Sequence, residues 1–329
     1  MNMAVGSLPH GAGNRITDVP GVRVGHCTVD QGRCHTGVTV VMPPCRNPYT
    51  DKLTAASCVF NGYGKTLGLV QVDELGTLET PIALTGTLNV GRVHDAMVSW
   101  MVKLCGEDGI PLTSVNPVVC ECNDGRMSEI VRRPVGEREV FAAIASASAD
   151  FEQGAVGAGR GTICYGMKGG IGSSSRLMEL DGRIYTMGVL VQSNYGASAD
   201  FRRACLPESL AESDQGSIIL IVATDLPLSS RQLRRVLRRS SVGMARLGSY
   251  IGHGSGEIAV GFTTAPRTDL GSFQTQTVLK EDRMNLPFRA VGECAEEAIL
   301  QSLWNAGPDT ALDGSPVPSL RQILKEPRP

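Results

Sequence analysis

The sequence is poor in aromatic residues, 5% of the chain, and has no excess of either charge, since 31 Lys and Arg face 33 Asp and Glu. The stacking platforms and basic field that a nucleic-acid partner requires are missing, so none is expected. No uninterrupted apolar run reaches the length of a membrane span, and Met1 to Arg15 has no basic stretch followed by an apolar one. Neither a span nor an export signal is expected, which points to the cytoplasm. Metal motifs are absent too. His26-Cys27, Cys34-His35, Cys120 and Cys122 are ligand types, but they form no CxxC pair or HExxH helix, so packing is the reading and no metal or other cofactor is expected. The ten cysteines read as free thiols of a reducing compartment, not as a disulfide framework. Finally, no polar, Pro-rich or low-complexity stretch divides the chain, so residues 1–329 are expected to form a single domain.

What is abundant is glycine, 39 residues, recurring at the ends of apolar runs as tight turns demand. Helical spacing of apolar residues predicts a helix over 91–104, a second over 230–247 with arginines on its solvent face, and a third over 290–305 that stops at Gly307-Pro308. Between them, 185–191, 217–224 and 257–262 are nearly unbroken apolar runs, the mark of strands covered on both faces. Sheets packed between helix layers, an α/β sandwich, follow from that pattern.

Three segments could carry chemistry. At Gly216-Ser217 a polar loop enters a wholly apolar strand. A Gly-Ser pair there is ordinarily a turn. Held in a strained turn, however, the Ser217 hydroxyl could attack the preceding carbonyl, and cleavage would leave an α-amino group beside the hydroxyl to act as its base. In Gly254-Ser255-Gly256-Glu257, alternation along a strand would put Ser255 and Glu257 on one face as a proton relay, although a self-satisfied loop is the simpler reading. Asn194, closing an apolar run before Tyr195-Gly196, could donate to an oxyanion or merely make a turn. The glycine-rich 166–175 stretch fails the P-loop test, because Lys168 precedes Gly169 and not Ser or Thr; its Gly172-Ser173 is a rival cleavage point. A triad of Ser217, His253 and Asp225 stays open, while His94 reads as a helix residue.

In order along the chain, Ile16-Thr17-Asp18-Val19-Pro20-Gly21-Val22-Arg23-Val24-Gly25-His26, Asn61-Gly62-Tyr63-Gly64, Lys168-Gly169-Gly170-Ile171-Gly172, Val189 to Gly196, Gly216-Ser217 to Pro227 and Gly254 to Glu257 resemble the DmpA/BapA family of aminopeptidases and amidases. The resemblance implies a four-layer αββα sandwich cleaved into associated chains 1–216 and 217–329. It further implies Ser217 as nucleophile, Ser255 and Glu257 in proton handling, and Asn194 in the oxyanion hole. Substrates would be small peptides, amides or esters with a free N-terminal amine, which Glu121 or Asp124 would meet, and the protein would be a homo-oligomer. Relatives often carry Tyr where Asn123 stands, which alters the pocket. Acyl transfer of the ornithine acetyltransferase type, or a non-catalytic binding role, are the alternatives.

Overall fold

The computed structural model describes residues 5–201 and 215–325; Cys205 and Asp214 lie outside them. In chain order, the first half supplies β1 (Arg23–Gln31), β2 (Cys34–Met42), β3 (Leu53–Gly62), α1 (Leu69–Leu75), β4 (Thr77–Leu78), β5 (Ile82–Gly86), α2 (Val90–Glu107), β6 (Val118–Cys122) and α3 (Glu137–Ala145). A short hairpin, β7 (Ile163–Cys164) and β8 (Met167–Lys168), leads into β9 (Gly170–Leu180), β10 (Arg183–Asn194), β11 (Gln215–Thr224), α4 (Ser230–Leu237), α5 (Ser240–Arg246), β12 (Gly254–Thr263) and α6 (Asn285–Trp304).

Two sheets result, ordered β1-β2-β5-β6 and β4-β3-β12-β11-β10-β9. Each contains one parallel pair, β5 with β6 and β11 with β12, and the rest is antiparallel. Parallel neighbours need a crossover, and helices provide both: α2 joins β5 to β6, and α4 with α5 joins β11 to β12. Burial sorts the layers. Alternate residues of β11 divide between two cores: Ile219, Ile221 and Ala223 meet Leu84, Val118 and Cys120 of the smaller sheet. Ile218, Leu220 and Val222 pack with Leu233 of α4 and Val291 of α6. Val93 and Met97 of α2 and Val140 of α3 cover the outer face of the smaller sheet. The protein is therefore an αββα sandwich, which is why β11 reads as a continuous apolar run: both of its faces are inside.

The predicted helices over 91–104 and 290–305 are α2 and α6, the latter starting at Asn285 with Pro287 in its first turn, where no N–H partner is needed. The predicted 230–247 helix is broken into α4 and α5. The Ser240 hydroxyl donates to the Leu237 carbonyl at 2.7 Å and that of Ser241 to Arg238 at 2.8 Å, so side chains compete for the acceptors that would carry the helix through. Its arginines are also more than a solvated face, because Arg231 and Arg235 pair with Glu281, and Arg234 with Asp73.

Candidate active site

Ser217 is the third residue of β11 and is 3% exposed. Gly216 before it has φ of 139°, and a Cβ there would lie 2.0 Å from the Asn194 carbonyl oxygen. Both facts demand glycine at this position. Ser217 pairs directly with Asn194 across β10 and β11, so the two side chains share a face. The Asn194 amide has one possible orientation: its Oδ1 accepts from the Ile163 backbone N–H at 3.0 Å, which leaves Nδ2 to donate. From the other sheet, the Asn123 backbone N–H donates to Ser217 Oγ at 3.3 Å. The Cys122 thiol beneath donates to the carbonyls of Gln192 and Ser217 at 3.4 and 3.5 Å. One backbone N–H thus reaches the hydroxyl, and the Asn194 amide, with its Nδ2 left to donate, stands on the same face across the strand pair, a set of donors suited to a developing oxyanion.

A cavity of about 670 Å³ opens over Ser217, and Asn194, Asn123 and Glu121 line it. Glu121 is 2% exposed, and its carboxylate accepts from Lys65 N–H at 2.8 Å and from the Thr87 hydroxyl. Asp124, the other acidic candidate, is not among the residues lining the cavity. It is buried behind it with its carboxylate against Gly86, where a Cβ would meet Oδ2 at 2.5 Å, and burial raises its pKa to about 6. Behind the same wall Lys168 donates to three carbonyls, those of Gly159, Thr162 and Gly169, while burial pulls its pKa down to about 7.

Ser255 and Glu257 lie on β12, beside the Gly216-Ser217 peptide. The parallel register runs without a break and aligns Gly216 with Ser255 and Ile218 with Glu257. Alternation puts both on the face of Ala259, towards the helices, whereas Ser217 shares the face of Ile219 and Ile221, towards the smaller sheet. The two groups therefore approach the peptide between Gly216 and Ser217 from the side opposite the Ser217 hydroxyl. Both are fully buried, and Ser255 Oγ has no hydrogen-bond partner among the described residues. Asn61 clamps the turn before them, its Nδ2 donating to the carbonyls of Gly252, His253 and Ser255.

Other candidates fall away. Asp225 follows the far end of β11, on the order of 26 Å from Ser217 at ~3.3 Å per residue, and accepts from Thr186 N–H, so no triad with Ser217 and His253 can form. Gly172-Ser173 is in the body of β9 and not in a loop: Ser173 is wholly buried, donating to Val189 O and accepting from Ile16 N–H. His26 is held between Thr39 and the Glu152 carbonyl, and burial lowers its pKa to about 4. Among the described residues no cluster of His, Cys, Asp and Glu could hold a metal, nine cysteines are free, and no helix is long and apolar enough to cross a membrane. The clamp by Asn61, the backbone role of Asn123 and the cavity residue Arg126 escape sequence reasoning; Asn61 and Asn123 had a signal, one in a motif of the resemblance and the other at a departure from it, and Arg126 had none.

Fold and site together define a serine-type aminopeptidase on a variant of the Ntn-hydrolase fold. The chain belongs to Peptidase family S58, whose sequence model matches residues 14–317. It is 36% identical to the beta-peptidyl aminopeptidase BapA of Sphingosinicella xenopeptidilytica, over 96% of this chain and 88% of that protein. Among solved structures it is similar to the PH0078 protein of Pyrococcus horikoshii, with a TM-score of 0.90, 39% identity and coverage of 98% and 96% of the two chains. It is also similar to the L-aminopeptidase D-Ala-esterase/amidase of Ochrobactrum anthropi, described as a prototype of the serine aminopeptidases and a new variant of the Ntn hydrolase fold. That match has a TM-score of 0.87, 30% identity and coverage of 97% and 96%. The relatives named for an activity are aminopeptidases, which favours neither acyl transfer nor a non-catalytic role.

Proposed function

We propose that Ser217 is the nucleophile of an aminopeptidase and amidase that first cleaves its own chain between Gly216 and Ser217. The observation that carries this is the junction itself: a glycine fixed at positive φ against the Asn194 carbonyl, followed by a buried serine on which the Asn123 N–H converges. In the first reaction Oγ attacks the Gly216 carbonyl carbon, the C–N bond breaks, and the nitrogen takes the hydroxyl proton. Water then hydrolyses the Gly216 ester, giving chains 1–216 and 217–329 of one domain. In turnover the freed Ser217 amine accepts the hydroxyl proton. Oγ forms an ester with the N-terminal acyl group of the substrate, the amine product leaves with a proton, and water releases the acid. Asn194 Nδ2 and the Asn123 N–H receive the oxyanion. Ser255 and Glu257, on the opposite face, serve the amine and not the hydroxyl.

Substrates on this reading are small peptides, amino-acid amides or esters with a free N-terminal amine, and the buried Glu121 carboxylate meets the ammonium. The names of the relatives support the class: one acts on β-peptides, another on L-residues and D-Ala esters and amides. We also propose a cytoplasmic homo-oligomer; free thiols support the compartment, and the assembly rests on the resemblance. Alanine p-nitroanilide and its N-acetyl form separate the outcomes. The free amine is expected to be cleaved and the acetylated form not, with Glu121→Gln raising KM about tenfold as the charge-assisted contact is lost. Equal rates on both forms would contradict the reading.

A further inference from the structure

We infer that Arg126 selects substrates ending in a free carboxylate, so that the preferred substrate is a dipeptide held by both of its termini. The inference rests on the reading of Ser217 as nucleophile and specifies its leaving group. The cavity has two unlike walls. On one, Glu121 is fixed by Lys65 and Thr87. On the other, Arg126 accepts through its backbone carbonyl from Leu312 N–H at 3.0 Å. Beside it, Ile163 packs on Met127, Ala311 and Val317 and hydrogen-bonds Asn194. Ser217 and Asn123 line the same cavity, joined by the Asn123 N–H to Ser217 Oγ.

Arg126 is exposed and lines the cavity; among the described residues its guanidinium makes no direct ion pair or hydrogen bond, and its charge acts at longer range on Asp313. The nearby acid, Asp313, has its carboxylate engaged by the backbone N–H and hydroxyl of Ser315, at 2.9 and 2.6 Å. Lys65, the other cation of the cavity, is already occupied: its Nζ donates to the Tyr63 carbonyl and lies 4.5 Å from the centre of the Tyr63 ring. Asn123 leaves the way to Arg126 open, because its Oδ1 folds back to accept from Gly125 N–H at 2.9 Å. A carboxylate leaving group crossing from Ser217 would therefore meet a guanidinium whose donor fork matches it. With the ammonium at Glu121 and the carboxylate at Arg126, both ends of a small substrate find an opposite charge in one cavity of about 670 Å³, a volume in the range of small-molecule sites.

The test compares kcat/KM for alanyl-alanine and β-alanyl-alanine with that for their C-terminal amides. The wild-type enzyme is expected to prefer the free acids, Arg126→Ala to lower the acid-to-amide ratio about tenfold or more, and Arg126→Lys, which keeps the charge but not the donor fork, to fall between the two. Retained cleavage before Ser217 shows that each variant is folded. A wild type that prefers the amides, or a ratio unmoved in Arg126→Ala, overturns the inference while leaving the nucleophile intact. Absence of turnover with all four compounds removes the activity on which it rests.

Discussion

Gly216 does two things that no other residue can. It adopts a φ of 139°, and it lets the Asn194 carbonyl approach to where a Cβ would stand, at 2.0 Å. Substituting Gly216→Ala pushes the junction away from Asn194 and from the Asn123 N–H, and near-attack geometry is lost with a displacement of about 1 Å. The expected outcome is a folded precursor that cleaves at least about a hundredfold more slowly, read as the half-time of chain scission on a denaturing gel. Scission at the normal rate would show that backbone geometry at this position is immaterial. Neighbouring residues explain why their roles are hard to see in sequence. Asn123 reaches Ser217 through its backbone N–H, which no side-chain motif reports. Asp124 carries a carboxylate as Glu121 does, but the turn after β6 takes it behind the wall against Gly86, which no pattern in the sequence reports.

At the scale of elements, strands were legible where both faces are buried, because an unbroken apolar run such as Ile218 to Ala223 leaves no other use for its side chains. Helix α2 was legible from its period. The break between α4 and α5 was not, since serine hydroxyls turning back on Leu237 and Arg238 leave the apolar spacing unchanged. Nor was β9. Its glycines and serines read as a loop, yet they form a strand because they must lie close beneath α6. A Cβ on Gly172 would come within 2.0 Å of the Ala298 carbonyl and 2.4 Å of Ser302 N, backbone atoms that cannot turn aside. Gly172→Ala is therefore expected to destabilise the protein by about 1–3 kcal/mol through overpacking, measured as a lower urea midpoint at unchanged m-value. An unchanged midpoint would mean that α6 and β9 separate freely.

For the whole molecule, the site exists only because elements far apart in sequence meet at one edge of the sandwich. β6 brings Asn123 from one sheet, while β10, β11 and β12 bring Asn194, Ser217 and Ser255 from the other. Ordered motifs in the sequence singled out those residues as candidates, but did not reveal that Ser217 faces the smaller sheet while Ser255 and Glu257 face the helices. That division follows from the parallel register of β11 with β12. On the proposed cleavage the two products would stay joined, since β11 begins the second chain while hydrogen-bonded to β10 of the first, and β12 pairs with β3. Intact mass with N-terminal sequencing of the purified protein tests the central claim most directly. Wild type is predicted to yield two co-purifying chains, one beginning Ser217-Ile218-Ile219, and Ser217→Ala a single uncut chain; one intact wild-type chain, or a cut at another bond, would contradict it.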